Sequence, residues 1–116
     1  RPGNFPKRAR SMTTAPRVLI DNKASTTHTV LEVNGTDRPG LLHQLTRKIA
    51  QQNLQINSAK ISTYGTSIVD VFYVKDLFGL KIQSDRRINL IKKYILDELR
   101  SQSDVVMTEI KPNQTK

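Results

Sequence analysis

Asp37, Arg38, Pro39, Gly40 and Leu41 are the residues whose types and order can do chemistry, because the strand-like run ending at Gly35-Thr36 meets an amphipathic helical pattern there. Pro39 suits a first helical position, where its fixed φ is already correct and its missing N–H would have had no partner. Gly40 beside it lets a ligand or another backbone come close. The first N–H groups of a helix have no internal acceptor and lie at the positive end of its dipole, so they can receive a carboxylate. The same residues also describe a plain helix cap, and their types alone leave both readings open.

Other chemistry is absent at recognisable spacing. Catalysis needs a nucleophile with its base, paired carboxylates or a metal cluster. Asp70 is a lone acid in a strand pattern and reads as a cross-strand partner or edge residue. His28 and His43 are far apart in sequence and read as surface or packing residues. With no Cys there is neither a disulfide framework nor a thiolate metal site, so no metal is expected. An RNA-recognition sheet needs aromatic residues on one exposed face. The neighbouring Phe72 and Tyr73 must point opposite ways, and Asp70 repels phosphate, so no nucleic-acid partner is expected.

These residues need elements to hold them. Apolar residues 18–20 suggest an edge strand, and residues 27–34 a second strand with Thr29, Leu31 and Val33 on one face. Leu41, Leu42, Leu45 and Ile49 recur at helical spacing, predicting a helix over 39–52 that Asn53 ends. Residues 56–64 alternate as a strand, and Gly65 turns the chain back into residues 68–74, apolar on both faces except at Asp70. Gly79 marks a loop. Ser84 or Asp85 can cap a second helix whose stripe is Ile88, Ile91, Ile95 and Leu99. Residues 105–110 alternate weakly as a last edge strand.

The pattern is β-α-β-β-α-β with an added leading strand. It predicts an α+β ferredoxin-like sandwich, an antiparallel sheet with both helices on one face. Ile68, Phe72 and Val74 are assigned to the face without helices, as an interface with another domain or subunit.

The chain has 116 residues and a net charge of +9. Residues 1–17 hold five basic side chains and no acid, while residues 18–80 carry only +1. The charge excess thus lies largely outside the folded centre, and residues 1–16, rich in Pro, read as a basic linker. A domain over 17–110 and a frayed tail over 111–116 complete the division. No window is apolar enough to span a membrane and no signal peptide is visible, which points to a soluble cytoplasmic domain. The start at Arg1 reads as a fragment of something longer.

Residues 34–42, with Asp-Arg-Pro-Gly-Leu-Leu at their centre, resemble the strand-to-helix signature of ACT domains, small amino-acid-sensing regulatory modules. The resemblance covers about residues 18–102. Pro16-Arg17-Val18-Leu19-Ile20-Asp21-Asn22-Lys23-Ala24-Ser25, Thr29-Val30-Leu31-Glu32-Val33 and the run from Ser67 to Ile82 are more specific. They are similar to the C-terminal ACT domain of the bacterial bifunctional PII uridylyltransferase and uridylyl-removing enzymes.

That resemblance implies a glutamine-sensing domain with no catalytic site and no cofactor of its own, in a parent enzyme that modifies the PII protein and uses Mg2+. It implies a ligand held by Gly35, Asp37 and the backbone of Arg38, Pro39, Gly40 and Leu41. A position near Gln55 on the second strand of a neighbouring ACT domain, or of a homodimer partner, completes the site. An interaction module without a ligand, or the amino-acid-binding ACT domain of another metabolic enzyme, are the alternatives.

Overall fold

In the computed structural model, which describes residues 14–115 and the side chains of 14–100, four strands and two helices follow in the order β-β-α-β-β-α. They are β1 (Arg17–Asp21), β2 (Thr29–Thr36), α1 (Leu41–Gln51), β3 (Leu54–Tyr64), β4 (Ser67–Asp76) and α2 (Asp85–Thr115). The strands form one sheet in the order β1-β2-β4-β3, each pair antiparallel. The α+β sandwich is as expected, with both helices contributing to a single core.

Two expectations about the strands are corrected. Residues 105–110 lie within α2 and form no strand. A terminal strand of this topology would pair with the outer edge of β2, and β1 already occupies that edge. Residues 111–115 belong to the same helix. The basic segment over 1–13 lies outside the described residues.

The second correction concerns β4. Ile68, Phe72 and Val74 are 3%, 0% and 1% exposed, packed with Leu31, Val33, Leu45, Ile49, Ile91 and Ile95 beneath the helices. Directly opposed residues share a face, and Phe72 pairs with Leu31 while Ile68 pairs with Gly35. The face without helices instead carries Val69, Val71 and Tyr73, opposite Asn34, Glu32 and Val30. Alternation sorts the residues into two sets correctly, but Ile68, Phe72 and Val74 form the set that the helices cover and so present no surface to a partner.

Local sequence explains the ends of the elements. Ser84 Oγ accepts the Arg87 N–H at 3.2 Å and its carbonyl accepts the Ile88 N–H at 2.9 Å, so Ser84 caps α2. Asn53 (φ 63°) ends α1 in a left-handed conformation that Asn tolerates. A bulge between Ile56 and Ser58 changes the face of every later residue of β3, placing Ala59 opposite Phe72.

At the lower end of the sheet, segments distant in sequence are joined by side chains. Asn22 Nδ2 donates to Ile82 O (2.6 Å), Thr29 Oγ1 donates to Asn22 Oδ1 (2.6 Å), and the Ile82 N–H donates back to Thr29 Oγ1 (2.9 Å). Lys81 Nζ adds a bond to Asn22 O at 2.7 Å. The buried Thr29 hydroxyl is thereby satisfied as donor and acceptor.

Candidate functional site

The loop starts at Thr36, the last residue of β2. Its hydroxyl accepts the Thr14 N–H (2.7 Å) and donates to Thr14 O (3.2 Å), while the Thr14 hydroxyl meets that of Ser67. Asp37 then donates its N–H to Thr66 O in the β3–β4 turn (2.7 Å), leaving its carboxylate exposed. The entering chain, the loop and the turn are fastened together at this end of the sheet.

Next comes a tight turn. The Leu41 N–H donates to Arg38 O at 3.2 Å, and Gly40 has φ 79° and ψ 0°. These values suit the third residue of a type II turn, with Pro39 at the second. Pro39 thus precedes α1 rather than opening it. Gly40 is needed for its positive φ, since a Cβ there would meet nothing within 4 Å. Helical bonding begins with Gln44 N–H to Gly40 O at 3.0 Å, and no side chain caps the helix. Among the described residues, the N–H groups of Gly40, Leu42 and His43 have no acceptor, whereas that of Leu41 is occupied by the turn.

Arg38 adds something that the sequence reading did not use. Its Nη2 donates to the main-chain carbonyl of Leu99 in α2 at 3.2 Å, while its Nε is buried without an acceptor among the described residues. Gly35, buried in β2, lies beside it on the wall of a cavity.

The remaining candidates separate. Gln55 lies at the opposite end of the sheet, paired with Lys75 and donating from Nε2 to Asp76 O at 3.0 Å. Seven residues of strand separate the two ends, roughly 20–25 Å, so Gln55 does not reach the loop of its own chain. His28 bonds Asn57 Oδ1 at 3.1 Å and packs edge-on to Tyr73, while His43 is exposed on α1. Asp70 is buried on the helix side of β4, opposite Val33 and Ile61. Burial raises its pKa above the ordinary value, the Ser62 N–H bond opposes this, and repulsion from Asp37 adds to it. Among the described residues no three His, Asp or Glu side chains are grouped to hold a metal ion.

A four-stranded antiparallel sheet beneath two helices, with a glycine-turned loop between the second strand and the first helix, defines a small α+β sandwich domain. Residues 24–102 match the ACR family N-terminal ACT domain, and the chain belongs to the ACT-domain family. It is similar to the bifunctional uridylyltransferase/uridylyl-removing enzyme of Azospirillum brasilense, 57% identical over 83% of this chain and 10% of that protein. The protein of the same description from Rhodospirillum rubrum is 43% identical over 97% of this chain and 11% of its own length. The chain therefore spans about a tenth of the curated relatives it matches. A crystal structure of an unknown protein from Galdieria sulphuraria is also similar, with TM-score 0.48 and 18% identity over 60% of this chain and 37% of that one.

Proposed function

We propose that this chain is a glutamine-responsive regulatory domain of a bifunctional uridylyltransferase/uridylyl-removing enzyme, and that glutamine biases the parent toward removing uridylyl groups from PII. The observation that carries the reading is the turn at Pro39-Gly40, which leaves the N–H groups of Gly40, Leu42 and His43 without acceptors among the described residues, in the same short loop as the exposed Asp37. An α-amino acid has the complementary pair of charges. Its carboxylate meets the N–H groups of Gly40, Leu42 and His43, and its ammonium meets Asp37.

Gly35 and Arg38 flank this loop. Gln55 lies too far away in the same chain and completes the site only from a neighbouring ACT domain or a second copy. The Mg2+-using chemistry and the contact with PII belong to other parts of the parent, in the cytoplasm. Regulation then requires that glutamine bind one arrangement of the paired domains better than another.

Calorimetric titration with L-glutamine tests the reading. Binding that Asp37→Ala weakens is the expected result, and unchanged affinity in that variant removes Asp37 from the site. A second reading, an interaction module without ligand, draws on the uncovered face with Val69, Val71 and Tyr73. A dimer whose stability ignores glutamine favours that alternative.

A further inference from the structure

Between β4 and α2 one short loop exposes three large apolar side chains. Leu77, Phe78 and Leu80 are 59%, 89% and 63% exposed, although the loop that carries them is closely bonded. The Asp76 carboxylate accepts the N–H groups of Phe78 and Leu80, both at 2.9 Å, while the Asp76 N–H donates to Leu80 O at 2.7 Å. Gly79, with φ 82°, donates to Asp76 O at 3.0 Å. The backbone is thus fixed in a shape that holds apolar side chains in solvent. Folding gains nothing from that exposure, whereas a loop ordered beforehand avoids the entropy of ordering when it meets a partner.

Two grooves flank the loop and set the charge of its surroundings. One, of about 270 Å³, lies beside Leu77 and Phe78 with Arg87 in its wall. The other, of about 410 Å³, lies beside Leu80, and Lys75 and Lys81 are the charged side chains among its described lining residues. Asp76 also borders the first groove, but its carboxylate is engaged by the loop itself, and Asp85 follows in the first turn of α2. Arg87 Nη2 donates to Gln52 O and Asn53 O at 3.0 and 3.2 Å, and Lys81 Nζ to Asn22 O at 2.7 Å. The result is an apolar projection between positive charges held in place.

We propose that this loop docks into an apolar pocket with an acidic rim on another part of the parent polypeptide, outside its ACT domains, an inference that rests on the chain being one domain of a longer enzyme. The chain spans about a tenth of its relatives' length, which leaves room for such a surface. Two other occupants fit less well. A second copy meeting the loop across a two-fold axis would set Lys75, Lys81 and Arg87 against themselves. A membrane suits cations that follow mobile headgroups, whereas Lys81 and Arg87 are tied to main-chain carbonyls and suit acids at fixed positions.

The test places p-benzoylphenylalanine at position 78 of the full-length parent enzyme and identifies the photo-cross-linked product by mass spectrometry, with and without phosphatidylglycerol vesicles. A cross-link within the same polypeptide, to an acidic and apolar segment outside the ACT domains, is the expected result. Lys75→Glu in the same protein should lower its yield about tenfold, because a charge at the rim is reversed. Should that variant fail to fold, salt replaces it, since screening lowers the yield in the same way. A yield indifferent to both charge reversal and salt overturns the proposal. So does a cross-link to an ACT domain, to a second copy or to lipid alone. Titration of the same protein with L-glutamine separates the two readings. Glutamine binding without the cross-link overturns the docking loop alone, and the cross-link without glutamine binding overturns the amino-acid site alone.

Discussion

The guanidinium of Arg38 donates to the main-chain carbonyl of Leu99 and so ties the loop between β2 and α1 to the middle of α2. The bond joins the part of the domain proposed to meet ligand to the helix that covers β1. Arg38→Met retains the aliphatic stem but removes the donor and the orphaned Nε together. A loss of about 1 kcal/mol in urea unfolding is expected, since a charged hydrogen bond disappears while an unsatisfied group is relieved. A loss several times larger would show that Arg38 supports more of the fold than this one bond.

The two faces of β4 give the next prediction. Phe72→Ala should cost about 3–5 kcal/mol, the usual price of emptying a fully buried aromatic site. Val71→Thr, one residue away on the uncovered face, should change monomer stability by less than about 1 kcal/mol. Denaturant midpoints for the two variants measure this directly, and a reversed order contradicts the register of β2 against β4.

That contrast also explains what could be read from the sequence. The helices were legible because Leu41, Leu45 and Ile49, and Ile91, Ile95 and Leu99, repeat on one side, and all six are buried. In β4 both sets of alternating residues are apolar, so periodicity separated them without saying which set the helices cover. The bulge at β3 has no local signature in Ile56-Asn57-Ser58, and it reverses the faces beyond it. Residues 105–110 failed as a strand because the deciding fact, an edge already filled by β1, is a property of the whole sheet. In the site, the loop residues were visible as a motif. The Arg38 side chain was not, because its partner Leu99 is 61 residues away.

Glycine substitutions separate conformation from space. Gly40→Ala puts a Cβ on a left-handed residue and should cost about 1–2 kcal/mol, although nothing stands near the new methyl. Gly35→Ala has a neighbour at 4.0 Å and no positive φ, and its effect should be below about 1 kcal/mol. Thermal unfolding of the pair checks the order. Equal losses would mean that Gly40 is not held in its turn.

Asn22 offers a test of the lower end of the sheet. Removing its amide in Asn22→Ala leaves the Ile82 carbonyl without that donor and the buried Thr29 hydroxyl without its acceptor, so about 1–3 kcal/mol should be lost. Because Lys81 bonds only the main chain of Asn22, Lys81→Met should cost less, within about 1 kcal/mol. Urea unfolding of both variants and of the double variant reads the coupling, which should be small if the two contacts act independently.

Asp70 makes stability depend on pH in the direction opposite to a salt-bridged acid. Its folded pKa lies above the ordinary 3.8, chiefly through burial, with repulsion from Asp37 adding and the Ser62 N–H opposing. Between the unfolded and folded pKa values the native state holds the extra proton, so its contribution is intact below the unfolded value and is lost as pH rises through the folded one. Asp70→Asn keeps an oxygen for the Ser62 N–H and removes the titration. Relative to wild type, this variant should gain stability as pH rises above 3.8 and then level off once pH exceeds the raised folded pKa. Asp37→Asn should narrow the pH range of that gain by relieving the repulsion. Urea-unfolding free energies across pH decide it, and an advantage for Asn that shrinks as pH rises would mean that hydrogen bonding to Ser62 outweighs burial at this carboxylate.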